Sequence, residues 1–123
     1  MANWQGKVSE WIYPLFRIIV GALFACHGAE KLFGAWIGHN ELSNPLMAAA
    51  GVIEFLGGLL VALGLFAGPA AFLASGEMAV AYFMVHARNG FWPIRNGGEL
   101  AVLYCFSFLF IAFRGAGRLS LRG

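Results

Sequence analysis

The sequence predicts an all-α membrane protein, a bundle of four transmembrane helices with both termini in the cytoplasm. Composition points there first: of 123 residues, 60% are hydrophobic and 11% are charged, whereas a soluble domain is about 45–50% apolar and about 25% charged. A small soluble globule needs more charge to cover its surface, so a soluble enzyme domain is excluded. The net charge of +2 is too small for a nucleic-acid-binding surface, and the expected partner is the lipid bilayer.

The second observation is the grouping of apolar residues into four segments. A helix of about 20 apolar residues crosses the roughly 30 Å hydrocarbon core of a bilayer, and three of the segments reach that length. The last has 15 residues, or about 22 Å of helix. We still predict a span there, because a helix end buried in lipid would lack hydrogen-bond partners. The four segments are Trp11–Ala29, Pro45–Phe66, Pro69–Ala87 and Glu99–Phe113.

Residues with known helix-boundary preferences separate these segments. Asn44 before Pro45 predicts an N-cap followed by proline in the first helical turn. Gly68-Pro69 predicts the end of the second helix and the start of the third, which would form a tight antiparallel pair. The stretch 88–98 contains Pro93 and three glycines and is predicted to be a loop.

The third observation is the distribution of basic residues, which sets orientation. With four spans, one side carries Lys7, Arg114, Arg118 and Arg122, and the other carries Lys31, Arg88 and Arg95. An excess of Lys and Arg marks the cytoplasmic side. The sequence therefore predicts a single transmembrane domain over residues 1–123, with both ends in the cytoplasm.

Glu54 is the most informative residue, because an ionisable group within a span costs about 2.5–3.5 kcal/mol on insertion scales. It shares one helical face with a glycine stripe that lets another helix approach closely, so Glu54 is expected to point into the bundle. A buried carboxyl there is suited to passing a proton. The alternative is a structural group that fixes helix register. The stripe consists of Gly51, Gly57, Gly58 and Gly64.

Arg17 and Glu77 are the other charges within the spans. Arg17 lies in the inner third of the first segment, within reach of the level of Glu77 if the two helices adjoin. We therefore predict a structural ion pair between them, with a functional role for Glu77 as the alternative.

More polar residues collect at the predicted outer ends of the helices, where they could line one pocket. We assign proton handling to His27, Glu54 and Glu99, and substrate binding to Lys31, His86, Arg95, Asn96 and Tyr104. In a regular helix His86 lies about 180° around the axis from Glu77, which separates their faces. Paired histidines could instead hold a haem. The spacing of His, Cys and Glu predicts no metal site.

These residues resemble the DoxX family of small four-helix membrane proteins. The most specific segment is Gly51-Val52-Ile53-Glu54-Phe55-Leu56-Gly57-Gly58, preceded by Arg17-Ile18-Ile19-Val20-Gly21 and by His27-Gly28 with Lys31 and Leu32. His86, Asn96-Gly97-Gly98-Glu99 and Gly117-Arg118-Leu119-Ser120-Leu121 complete the pattern. Relatives usually have Asp after the last Ser-Leu, where this chain has Arg122.

The resemblance implies a multi-pass inner-membrane protein and points toward redox work. Some relatives are similar to a subunit of thiosulfate:quinone oxidoreductase, and others are associated with thiol and oxidative-stress defence as partners of soluble enzymes. Two classes of function follow. The first is a redox-associated component that binds a quinone or a small lipophilic substrate and needs a soluble or membrane redox partner. The second is a non-catalytic anchor, transport or lipid-binding module, either of which could form a homo-oligomer.

Overall fold

A computed structural model describes residues 3–121, in which all regular structure is helical and no strand occurs. The helices are α1 (Asn3–Phe33), α2 (Pro45–Leu63), α3 (Ala67–Ala81), the short α4 (Pro93–Asn96) and α5 (Glu99–Arg114). A π turn (Tyr82–His86) and a 3-10 turn (Ala87–Asn89) continue α3. The all-α class predicted from composition is confirmed for this part of the chain, and Arg122 lies outside it.

Three helical segments of the described chain are long and apolar enough to cross a membrane: Asn3–Phe33, Pro45–Leu63 and Ala67–Asn89. At 16 residues, α5 is about 24 Å long, shorter than a bilayer core. It nevertheless packs along α3 and completes the helical core. The assignment as a membrane protein therefore rests on three helices, and α5 lies against the third of them.

The predicted start of α2 is confirmed, and its predicted end is corrected. Asn44 accepts hydrogen bonds from the backbone N–H groups of Leu46 and Met47, as an N-cap does. The helix ends at Gly64, not at Gly68, because Gly64 takes the left-handed conformation (φ 71°) that terminates a helix. Gly68 lies within the first turn of α3.

Helices α1 and α2 cross with almost no side chain between them. A Cβ atom added to Gly58 would lie 2.5 Å from the Gly21 carbonyl oxygen, and one added to Gly21 would lie 2.6 Å from the Gly58 carbonyl oxygen. The two backbones therefore touch, as small residues permit between membrane helices. Of the predicted stripe, Gly51 and Gly58 lie against α1, whereas Gly57 faces open space and Gly64 lies closest to Ser120 of the tail.

Aromatic side chains fill the space between α1 and α5. Phe24 is fully buried and packs on Tyr104 and Phe108, with ring centroids 5.1 and 4.6 Å away. Nearer the N-terminus, Tyr13 makes an edge contact with Phe110. These rings form the core with alanines of α3. Small residues therefore bring α1 onto α2, and large ones connect α1 to α5.

Arg17 is fully buried and is bound by backbone carbonyl groups. Its Nε donates to Val61 O at 2.9 Å and its Nη2 donates to Ala62 O at 3.3 Å, both at the end of α2. The other acceptors belong to the tail after α5: Ala116 O, Arg118 O at 2.9 Å and Leu119 O at 2.6 Å. A guanidinium has five N–H donors, so five acceptors satisfy it and attach the tail to the bundle.

The close contact of α1 and α2 at Gly58 predicts that substitutions at Gly58 and at its neighbour Gly57 differ in their effect on stability. Gly58→Ala should destabilise the detergent-solubilised protein by about 1–3 kcal/mol, because the added methyl group forces two backbones apart. Gly57→Ala is the matched control, since its Cβ enters open space, and it should be neutral or slightly stabilising. Thermal unfolding of the two variants measures the difference. Equal unfolding temperatures would show that α1 and α2 do not pack this closely.

Candidate functional site

A cavity of about 300 Å³ lies among α1, α2, α3 and α5, at the end where the loops 34–44 and 90–98 are found. Its walls are mostly apolar, with Phe24 and Met78 among them. Six polar side chains also line it: His27 and Lys31 from α1, Glu54 from α2, Glu77 from α3, His86 from the π turn and Tyr104 from α5. Five of these six were assigned to a site from sequence.

Lys31 and Glu54 form an ion pair in the wall of this cavity. Lys31 Nζ donates to Glu54 Oε1 at 2.7 Å, and the Glu54 side chain is 2% exposed. Gly51 makes the pair possible, because a Cβ there would lie 2.9 Å from Lys31 Cβ. A charge in an apolar interior must be paired, and here each partner supplies the other's counter-charge.

Glu77 is the polar group whose bonding is incomplete. Its side chain and that of Glu54 line the same cavity. Glu77 Oε1 is buried and has no hydrogen-bond partner among the described residues. A buried oxygen without a partner calls for an explanation, such as a donor supplied by a bound molecule. The cluster therefore has room for one more donor.

His27 and Tyr104 face each other across the cavity from α1 and α5. Their rings meet edge to face, with centroids 5.8 Å apart. His27 Nδ1 lies 3.5 Å from Glu30 Oε1, one turn further along α1. A protonated His27 thus has a partly exposed counter-ion beside it, while its ring borders the cavity.

The π turn brings His86 to the same cavity as Glu77, which corrects the expectation that they face opposite sides. That expectation assumed a regular helix. A π turn holds one extra residue, so residues after it rotate by about 100° relative to a continuous α-helix. His86 Nδ1 lies 3.4 Å from the Asn96 carbonyl oxygen. When Nδ1 carries the hydrogen, that carbonyl accepts it, and Nε2 is left for another partner.

Three predicted site residues do not line the cavity. Asn96 is buried and holds the loop of residues 90–98 in place. Its Nδ2 donates to Tyr82 Oη at 3.0 Å and to Gly90 O at 2.8 Å, and its Oδ1 accepts from Gly98 N. Arg95 and Glu99 are exposed. Arg95 ends α4, and Glu99 begins α5. The prediction grouped them by position in the sequence, but the loop turns their side chains away.

The predicted ion pair of Arg17 with Glu77 is wrong. Arg17 donates its hydrogen bonds to backbone carbonyl groups at the end of the bundle opposite the cavity. Glu77 lies beside Glu54. Val61, which binds Arg17, is two turns from Glu54 along α2, or about 10 Å. Sequence reasoning gave Arg17 an acidic partner because a buried charge needs one, but backbone carbonyl oxygens meet the same need.

The arrangement can bind an uncharged polar group in an apolar setting. Lys31 has donors beyond the one given to Glu54, and Glu77 has a free acceptor. Among the described residues, no group of three or more His, Cys, Asp or Glu side chains is placed to hold a metal ion. Fold and site together define a helical membrane protein with a polar, carboxyl-containing pocket between its helices.

Comparison with known proteins identifies the family. The chain matches the DoxX family model over residues 13–87, and it belongs to the DoxX family. A protein of Haemophilus influenzae described as uncharacterized is 43% identical over 122 residues, which covers 94% of this chain and 91% of that protein. No solved structure matches. The family match includes most of the cavity residues and ends before Asn96 and Glu99.

A double-mutant cycle tests the separation of Arg17 from Glu77. Because the two side chains share no contact, the losses in unfolding free energy from Arg17→Ala and Glu77→Gln should add to within about 0.5 kcal/mol. The Lys31→Met and Glu54→Gln cycle is the positive control, since contacting pairs couple by about 0.5–3 kcal/mol. Coupling of Arg17 to Glu77 as strong as that of the control would contradict the structure.

Proposed function

We propose that this DoxX-family membrane protein binds a small lipophilic molecule that carries carbonyl oxygens, in the cavity, and exchanges protons with it. Quinones are the class that fits best. The observation that supports this most directly is Glu77 Oε1, a buried acceptor without a partner, to which a hydroxyl group of the reduced (quinol) form can donate. It lines the same cavity as the Lys31–Glu54 pair, whose ammonium group can donate to a carbonyl oxygen of the oxidised form. An apolar cavity with a few convergent polar groups is typical of a ligand site.

Each polar residue has a distinct task in this proposal. Lys31 donates a hydrogen bond to a carbonyl oxygen of the ligand while it keeps its bond to Glu54. Glu54 and Glu77 share a proton and exchange it with the ligand. His27 and His86 carry protons between the carboxyls and the end of the bundle. A quinone supplies redox chemistry when bound, and its electrons come from a soluble or membrane redox partner.

The membrane arrangement is part of the same proposal. All of residues 1–123 form one transmembrane domain of the inner membrane that crosses four times, with α5 as the fourth span and both termini in the cytoplasm. The antiparallel helices and the basic tail support it. The cavity then lies in the outer half of the bundle. A homo-oligomer is compatible with the many exposed apolar side chains.

Reporter fusions test the topology. A reporter that is active only outside the cytoplasm should be silent when fused after Arg122 and active when fused in the loop at His39. Placing both ends inside requires an even number of crossings, so α5 must span. A strong signal after Arg122 would exclude either the fourth crossing or the orientation. The internal fusion checks that the protein inserts.

Glu54→Gln tests proton handling. The change removes titration and the negative charge of the ion pair, but it keeps the size of the side chain and an oxygen that can accept from Lys31. The protein should therefore lose some stability but still fold and accumulate, while activity is lost. Activity is measured by complementation of a strain that lacks the protein, grown under thiol or oxidative stress. Glu77→Gln should also lower activity, because the two carboxyls share one proton. Glu41→Gln, on a partly exposed loop residue, is the matched control and should behave as wild type.

The outcomes separate the two classes of function. Loss of complementation by Glu54→Gln at normal protein levels supports the proposal, as does binding of a benzoquinone by the purified protein. Full activity of Glu54→Gln would exclude proton transfer and make the carboxyl a register-fixing group. In that case a non-catalytic membrane module, an anchor or a lipid-binding unit, becomes the better explanation.

A further inference from the structure

A second cavity, an open groove of about 490 Å³, runs along the outside of the bundle between α2 and α3. On α3 it extends from Phe72 to Val85, or about 20 Å along the helix axis. That is about two-thirds of a bilayer's hydrocarbon core. Small residues, including Ala50, Gly76 and Ala81, line it together with larger apolar ones.

The groove and the polar cavity have a common wall. Five residues line both: Met47, Ala50, Glu77, Ala81 and Val85. Among the described residues, Glu77 is the only ionisable one that lines the groove. It also lines the polar cavity, and its Oε1 is buried without a partner. The polar pocket is therefore separated from the lipid-facing side of the bundle by side chains alone, with no helix in between.

We infer that the groove between α2 and α3 is the lateral entrance to the pocket and holds the hydrocarbon tail of a ligand whose polar head lies beside Lys31 and Glu54. This rests on the proposed function and adds the substrate class: a lipid-soluble molecule with a polar head and a long alkyl or prenyl chain. Such a molecule reaches the site from the bilayer without entering water.

The size and position of the groove favour a single hydrocarbon chain over a helix of another protein. The groove shares five lining residues with the polar pocket, so a tail attached to a head group in that pocket can follow it, whereas a helix about 10 Å in diameter would lie along its opening. Ligand cavities of about 300–1,000 Å³ are usual for small molecules. A hydrocarbon tail in the groove is also continuous with a polar head in the pocket, since the same residues line both spaces.

Gly76 allows a sharp test, because it lines the groove and a Cβ added there meets no atom within 4 Å. Gly76→Leu places a bulky side chain in the groove, and Gly76 does not line the polar cavity. Gly57→Leu is the matched control: its Cβ also enters open space, and Gly57 lines neither cavity. Ala49→Phe, from the opposite wall of the groove, is a second blocking variant in case the first does not fold.

Two probes separate the head from the tail: a benzoquinone without an alkyl tail and the same benzoquinone carrying a decyl tail. Their affinities for the purified wild type and each variant are measured in detergent and in vesicles. Gly76→Leu and Ala49→Phe should weaken binding of the decyl probe by about tenfold, as expected when about two methylene groups lose their contacts. They should leave binding of the tailless probe unchanged, and Gly57→Leu should match wild type for both.

Equal affinity of the decyl probe for wild type and both blocking variants would overturn the groove's role while leaving the head site intact. Equal weakening of both probes would also overturn it, because the variants would then act on the pocket itself. Failure of both probes to bind the wild type would overturn the proposed function, and the inference with it.

Discussion

The close contact of α1 and α2 is the constraint on which the site depends. At Gly21 and Gly58 the two backbones meet without intervening side chains, and further along the same interface Gly51 leaves room for Lys31. The lysine can then reach a carboxylate that would otherwise be an isolated charge in an apolar interior. A larger residue at these positions would separate the helices and remove the counter-charge from Glu54.

The two cations inside the bundle, Arg17 and Lys31, differ in how many of their hydrogen-bond donors are used. Arg17 is surrounded by carbonyl oxygens that match its five donors, so no capacity is left for a ligand. Lys31 gives one donor to Glu54 and is 20% exposed toward the cavity. Each side chain suits its role. The planar guanidinium of arginine binds several acceptors in fixed directions at once, whereas the ammonium group of lysine, on a flexible stem, can adjust to different partners. Arg17 therefore has a purely structural role at one end of the bundle, whereas Lys31 at the other end keeps donors that no protein group uses.

Sequence was sufficient for what depends on local chemistry. Asn44 was recognised as a cap and Glu54 as an inward-facing carboxyl, because capping preference and the cost of charge in lipid are properties of single residues. Contacts that depend on backbone path were not predictable. The rotation of His86 into the cavity needs a π turn, and no residue type in Tyr82–His86 predicts one. The acceptors of Arg17 are backbone carbonyl groups, which every residue has, so the sequence does not indicate which of them bind it. Arg95 and Glu99 were misplaced for the same reason: the loop decides where they point.

The attachment of the tail to Arg17 affects how the protein is made. Arg17 enters the membrane with the first helix, yet Ala116, one of its acceptors, follows 99 residues later. At a synthesis rate of about 5–20 residues per second, roughly 5–20 s pass between the two. During that interval the guanidinium lacks three of its five acceptors. The tail after α5 supplies them only when it packs onto the bundle, so the buried charge of the first helix is satisfied last.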